Sequence, residues 1–374
     1  MKILGIDTSC DDTCISLVEI RNSKTELPKE AKVKMRTKFS SPFEIRSNVV
    51  SSQVKLHAKY GGVYPSLAKR EHRRNLAPVL KKALEEARLL NSKFKNQNAK
   101  IDAIGVTVGP GLEPCLWQGV NFAKDLAKKL KRPLIPVNHI EAHIVANFIS
   151  SNFQFPISNF QTVLPAACLV VSGGHTQLVL MKGIGKYKLI GETRDDAAGE
   201  CFDKVARILG LGYPGGPAID EQAAKFKILN LKFKIVLPRP MIYQKNYDFS
   251  FSGLKTAVLY DFRSRSPKIQ KSKIYIQEMA KEVQQAIIDV LIKKTIRAAK
   301  NYKAKTIILG GGVAASEELR RQFQKTCLTL HVKQLVPPKN LCTDNAVMVA
   351  MTAYFHRKEK FNLPEIKANA NLKI

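Results

Sequence analysis

The sequence has no apolar run approaching the roughly 20 residues that a bilayer-spanning helix requires; its longest candidates, such as residues 164–171, read as buried strands. A membrane span is excluded. Acidic residues are scarce, with 31 Asp and Glu against 61 Lys and Arg, so the formal net charge is +30. Cys-x-x-Cys does not occur. The seven cysteines, at 10, 14, 115, 168, 201, 327 and 342, are scattered in a way that suits reduced thiols and excludes a zinc ribbon or a disulfide framework. Asp7, Asp11 and Asp12 interrupt the apolar start before a secretory signal core has formed, which predicts a cytoplasmic protein. What is present is ordinary globular composition, 45% apolar and 25% charged over 374 residues, enough for about two domains with a core in each. The positive surplus predicts attraction to a polyanion, with RNA, DNA and anionic lipid all open on charge alone.

Strand-like and helix-like segments alternate along the chain, which indicates an α/β protein. One form occurs twice. Residues 2–20 read as strand, polar turn, strand, and residues 167–182 repeat that pattern with a different turn. Later in each half a strand runs into a glycine loop and a helix: IDAIGVTVGPGL before 115–130, and AKTIILGGGVAAS before 317–326. Two similar lobes packed face to face would leave a cleft lined by both sets of turns. A polar stretch at 21–48 carries eight basic and three acidic residues and reads as an extra hairpin or an extended loop. A second basic stretch, 263–273, separates a helix ending near Phe262 from a long amphipathic one over 274–302.

The sharpest local signal is His139-Ile-Glu-Ala-His143, because residues four apart on a helix share a face and can direct two imidazoles at one ion. A third ligand must come from elsewhere. Asp344, in LCTDNAVM, is a candidate, and it also stands where it could simply cap the following helix. Mixed nitrogen and oxygen donors fit zinc or iron(II) better than calcium. Glycine turns at 171–175, 213–217 and 309–313 let backbone amides approach a phosphate; none carries the Walker pattern. Asp195, Asp196, Glu200, Asp203 and Asp220 cluster near them, with Asp195 or Asp196 placed to cap a helix over 197–209. The first turn, Asp7 to Thr13, concentrates three carboxylates and several hydroxyls, a costly grouping unless it faces a cation or hydrogen-bond donors.

The motifs GIDTSCDDT, SQVKLHAKYGGVYPSLAKREH, GPGLEP, NHIEAH, LVVSGGHTQLV, DDAAGECFDKVARILGLGYPGGP, FSFSGLKTA, GGGVAAS and LCTDNA follow one another as in the TsaD family, also called the Kae/Qri/OSGEP group. The chain resembles that family over nearly its whole length, apart from the insert near 21–48 and the extreme tail. The resemblance implies a two-lobed actin-like (ASKHA, Hsp70- and hexokinase-like) α/β fold with duplicated domains and a central cleft. It divides the chain into an N-terminal lobe, 1–145, joined by a C-terminal helix over 345–374, and a C-terminal lobe, 146–344. It implies transfer of a threonylcarbamoyl group from threonylcarbamoyl-AMP to N6 of the adenosine 3′ of the anticodon in tRNAs reading ANN codons. By position it assigns His139, His143 and Asp344 to one Fe(II) or Zn(II) ion. It assigns Val170, Val171, Ser172, Gly173, Gly174, Asp203, Gly216, Asp220 and Ser316 to the adenylate or its threonyl part, a site that ATP or AMP analogues would share. The tRNA anticodon stem-loop is the implied partner, with TsaB and TsaE beside the enzyme and TsaC upstream; a homodimer is open.

Two departures stand out: Asp7 and Asp12 occupy positions usually held by the longer Glu, and Ser316 one usually held by Asn. Adenine's exocyclic amine is a weak nucleophile, so a mixed carbamic-phosphoric anhydride supplies the activation. Asp11 or Asp12 is the candidate to receive the amine proton, and amides of Gly173, Gly174 and Gly311 to stabilise developing charge. Lys69, Arg70, Arg73 and Arg74, with the two basic stretches, are expected to bind the anticodon arm. The competing readings are an actin-fold sugar or acetate kinase, a metal-dependent glycoprotease, and a nucleic-acid-binding protein without catalysis. The protease is disfavoured because Glu141 stands one position late for HExxH.

Overall fold

The computed structural model describes residues 1–21, 42–89, 100–149, 162–227 and 232–374. They form two compact units: Met1–Gln53 with Tyr64–Phe160 and Asp344–Ile374, and Val54–Val63 with Gln161–Thr343. No helix among the described residues is long and apolar enough to cross a membrane.

In the first unit, β1 (Lys2–Asp7) and β2 (Asp12–Ile20) form an antiparallel hairpin that closes at the Asp7–Cys14 pair. β3 (Phe43–Ser52) continues it in antiparallel register, while β4 (Ala103–Gly109) and β5 (Leu134–Asn138) add in parallel, giving the order β3-β2-β1-β4-β5. The end of the polar insert is therefore a strand of this sheet, and the rest of it, 22–41, lies outside the described residues. Leu4 and Ile6 of β1 and Ile104, Val106 and Val108 of β4 fill one face, while Gly5 and Gly105 keep the other flat enough to be covered closely, so both strands are buried on two sides.

Helix α1 (Pro65–Glu86) starts with proline in its first turn, where the missing N–H is harmless. It buries Ala68, His72, Leu76, Val79 and Ala83 along one 3.6-residue stripe, leaving Lys69, Arg70, Arg73 and Arg74 exposed. α2 (Glu113–Leu130) and α3 (His139–Val145) follow β4 and β5. α9 (Ala346–His356) lies directly on β1: a Cβ at Gly5 would collide with the backbone of Ala346, so only glycine admits so close a helix. The expected C-terminal helix over 345–374 is thus much shorter. It stops where the largely apolar stretch Ala346–Phe355 gives way to the charged run 356–360, and beyond it only Leu363–Glu365 makes a 3-10 turn.

The second unit repeats this plan. β6 (Ala166–Val171), β7 (Thr176–Gly183) and β8 (Lys186–Glu192) form an antiparallel meander, and β9 (Thr306–Gly310) and β10 (Lys333–Leu335) join in parallel, in the order β10-β9-β6-β7-β8. Strand order and direction match the first sheet one for one. The helices are α4 (Ala198–Ile208), α5 (Gly215–Lys225), α6 (Ser252–Ser264), α7 (Lys273–Asn301) and α8 (Glu317–Thr329). Tyr275, Met279, Val283, Ile287 and Leu291 of α7 run at helical spacing into one core with Leu169, Val171 and Val205. Each such apolar side chain contributes about 1.5–3 kcal/mol on burial. The basic stretch before α7 contains a short turn of helix, Pro267–Gln270.

Candidate functional site

Short helix α3 carries the histidine pair. Asn138, the last residue of β5, caps it by accepting from the amides of Ile140 (2.9 Å) and Glu141 (3.2 Å). The whole of α3 is buried. His139 and His143 stand on one face, their ring centroids 4.6 Å apart. Asp344 meets them from the loop before α9. Its Oδ1 lies 3.5 Å from His139 Nε2 and 3.2 Å from His143 Nε2, and donor atoms of all three residues lie within 4.8 Å of one another. The helix cap is Asn345, which accepts from the Met348 amide, so Asp344 is free of that duty.

The residues present fit a metal ion. Among the described residues neither buried ring nitrogen of His143 has an aligned hydrogen-bond partner, and Asp344 Oδ1 approaches Nε2 at 3.2 Å. Two ligands about 2.1 Å from a shared zinc ion stand roughly 3.0–3.4 Å apart, close to the spacing seen here. Asp7, fully buried at the end of β1, stands on the other side of the His139 ring, its Oδ2 3.6 Å from Nδ1, a distance for charge attraction and not for a hydrogen bond. Burial raises Asp7. Burial acts to lower His139, but the carboxylates of Asp344 and Asp7 outweigh it and lift the imidazole to about 9. Burial pushes His143 down. Burial opposes ionisation of Asp344, yet the two imidazoles hold it well below the usual carboxylate range. Two imidazoles and the Asp344 carboxylate converge as nitrogen and oxygen donors of the kind that hold a divalent cation.

The turn between β1 and β2 is fastened on several sides. Ser9 Oγ donates to Asp344 Oδ2 (3.4 Å), Thr8 Oγ1 donates to the Cys115 carbonyl (2.9 Å), and the Leu112 amide donates to the Ser9 carbonyl (2.8 Å). Buried His72 of α1 holds the other side. Its Nε2 lies 3.0 Å from the Cys10 carbonyl and so donates to it, which leaves Nδ1 to accept from Thr13 Oγ1 at 2.8 Å. Asp11 and Asp12 are half-buried in this turn. Burial lifts Asp12 to about 7; a hydrogen bond from Ser52 opposes the rise and the charges of Asp11, Asp344 and Asp7 add to it. Such a carboxyl is suited to proton transfer near neutral pH.

The glycine turns belong to the second unit. β6 and β9 pair in parallel with Val170 beside Gly310, so their carboxyl ends carry the 172–175 turn and Gly311 side by side. Gly311 has φ +87° and sits against the Val171 carbonyl, where a side chain would collide. Gly173 and Gly174 are exposed with open space around them. Asp203 of α4 accepts from the Gly215 amide (2.6 Å), next to Gly216. Asp220 accepts from Gln284 Nε2 (2.8 Å) and from Ser316; burial raises it, and both bonds oppose the rise. The sequence assignments thus fall into three local groups: Val170–Gly174 with Gly311, Asp203 with Gly216, and Asp220 with Ser316.

Asp195 does not cap α4, whose N-cap Ala197 has no side-chain cap bond. It accepts from the hydroxyls of Ser250 and Ser252 and the amides of Phe251 and Ser252, at the start of α6. In the 263–273 stretch, Arg265 is committed to Asp261 and Tyr275, while Arg263, Lys268, Lys271 and Lys273 are exposed. Arg46 of the insert pairs with Glu19 and Glu44. Sequence reasoning gave no individual role to Asp7, His72 or the Glu141–His356 pair, because each partner lies far away along the chain.

A model of the TsaD family, described as tRNA N6-adenosine threonylcarbamoyltransferase, matches residues 44–351. Curated relatives of that name include one from Syntrophomonas wolfei, 45% identical over 355 residues and covering 95% of this chain and 92% of its own. Another, from Thermosipho africanus, is 42% identical and covers 100% of both chains. Among solved structures, full-length HypF in its phosphate- and nucleotide-bound form superposes with a TM-score of 0.53 at 12% identity, over 96% of this chain and 56% of that one. That likeness supports the actin-like α/β fold.

Proposed function

Because the chain belongs to the TsaD family of tRNA N6-adenosine threonylcarbamoyltransferases, we propose that His139, His143 and Asp344 hold the ion of its acyl-transfer reaction. The reaction moves a threonylcarbamoyl group from threonylcarbamoyl-AMP to N6 of the adenosine 3′ of the anticodon in tRNAs reading ANN codons. The new bond joins N6 to the carbamoyl carbon, the bond from that carbon to the phosphate oxygen breaks, and AMP leaves. The amine proton passes to Asp12, whose carboxyl titrates near 7, or to its neighbour Asp11.

The nitrogen and oxygen donors favour Fe(II) or Zn(II). A bound ion supplies Lewis-acid polarisation of carbonyl or phosphate oxygens. The Asp7 carboxylate lies on the Nδ1 side of the His139 ring and leaves Nε2 to face Asp344. Val170 to Gly174, Asp203, Gly216, Asp220 and Ser316 bind the adenylate, and the amides of Gly173, Gly174 and Gly311 meet the charge that develops as AMP departs. The observation that carries this reading is the pair of buried imidazoles facing one carboxylate oxygen at 3.2 and 3.5 Å. A glycoprotease would need Glu141 as base, but that carboxylate is engaged by His356. TsaB and TsaE are the proposed protein partners, with TsaC as the source of the adenylate, in the cytoplasm where tRNA is modified.

The test supplies threonylcarbamoyl-AMP and unmodified tRNA to the purified protein, with and without TsaB and TsaE, and analyses the nucleosides by mass spectrometry. Modified adenosine should form with one AMP released per transfer. His139→Ala should abolish it while the far-ultraviolet circular dichroism stays unchanged. No product in any combination, or full transfer by the variant, would overturn the reading.

A further inference from the structure

Helix α3 has seven residues, too few to be stable by itself. Its orientation must be imposed from outside, and that orientation decides whether both imidazoles face Asp344. Asn138 fixes its first turn, and Asn147 Nδ2 donates back to the carbonyls of His143 (3.3 Å) and Ile144 (3.1 Å) at its end. The middle is held differently. Glu141 is two residues from each histidine, so at about 100° per residue it points away from the ligand face. Its buried carboxylate meets His356 Nε2, which lies 3.0 Å from both Oε1 and Oε2. His356 Nδ1 lies 2.6 Å from Glu359 Oε1, so the ring is oriented at both nitrogens.

His356 is the last residue of α9, the helix whose first turn follows Asp344. The pair therefore ties together the two chain segments that supply all three ligand side chains. We propose that His356 is a positioning residue for the metal centre: by gripping Glu141 on the back of α3 it sets the rotation at which His139 and His143 converge on Asp344. The inference rests on the reading of that triad as metal ligands.

Cobalt(II) serves as the probe, because its visible absorption reports coordination geometry as well as occupancy. Wild-type protein, stripped of metal, should bind one equivalent, and His143→Ala should lose it. His356→Ala should weaken cobalt binding by about 10-fold, the low end of what losing a direct outer partner of a ligand costs, and change the absorption. His356→Arg should stay within about threefold of wild type, since the guanidinium fork can also engage both carboxylate oxygens.

His356→Ala leaves Glu141 buried without its cation, which can harm folding by itself. The double variant Glu141→Gln with His356→Ala removes that unpaired charge. It should melt near the wild-type temperature and still bind cobalt weakly. Unchanged affinity and spectrum in His356→Ala would overturn the inference alone, as would a double variant that regains affinity together with stability. Wild-type protein that binds no cobalt would overturn the metal reading and the inference with it.

Discussion

Asp12 is kept in a place that does not favour its charge. Its carboxyl titrates at about 7 in the folded chain against an ordinary value of 3.8, chiefly because of burial. Between those values the folded state binds the proton more firmly than the unfolded state, so stability falls as pH rises through that window. Asp12→Asn should therefore stabilise the metal-free protein by about 1–2 kcal/mol at pH 8 and by nothing at pH 3, measured by urea unfolding. The same variant should slow transfer. A variant no more stable than wild type at pH 8 and fully active would show that this residue has no such role. The residue scale is also where the sequence was most and least legible. The histidine pair could be read because a helix has a known period, and Asp344 because it follows a strand and precedes a helix. Asp195 could not, because the amides it satisfies lie more than 50 residues downstream at the start of α6. Glu141 and His356 meet across 215 residues, and no local pattern encodes that.

Among the elements, α7 organises the second unit, and its buried Glu278 shows how. Its carboxylate accepts from the amides of Lys232 (3.1 Å), Phe233 (3.1 Å) and Ile235 (3.2 Å), holding an irregular segment that makes no sheet of its own. Removing the acceptor strands three amides, and each net loss is about 1 kcal/mol or more. Glu278→Ala should lower stability by about 2–4 kcal/mol and open residues 232–247 to limited proteolysis; wild-type resistance would show the anchor to be redundant. Strands and long helices were legible from alternation and from 3.6-residue spacing. The end of the last helix was not read, although the charged run 356–360 that follows its apolar residues marks where it stops. The strand Phe43–Ser52 escaped because its exposed residues make it look like the polar insert it follows.

At the scale of the whole molecule, the +30 charge is expected to meet the phosphates of the tRNA substrate. Lys69, Arg70, Arg73 and Arg74 are exposed on α1, and Glu71 only touches Arg74 at 4.0 Å. Replacing Arg70 and Arg73 with Ala should weaken tRNA binding and reduce the slope of log affinity against log salt by about 1 for each phosphate no longer neutralised. A slope that does not change would place the RNA elsewhere. The duplicated topology was legible as repeated form, since the same strand-turn-strand and strand-glycine-helix patterns recur in each half.

The most direct test is one titration. Metal-stripped protein is reloaded stepwise with Fe(II) or Zn(II) in the presence of threonylcarbamoyl-AMP, unmodified tRNA and the proposed partners TsaB and TsaE, and bound ion and modified adenosine are measured in each sample. Transfer should rise in proportion to bound ion, level off at one ion per chain, and stay at background in His143→Ala at every step. Full transfer by the stripped protein would contradict the account.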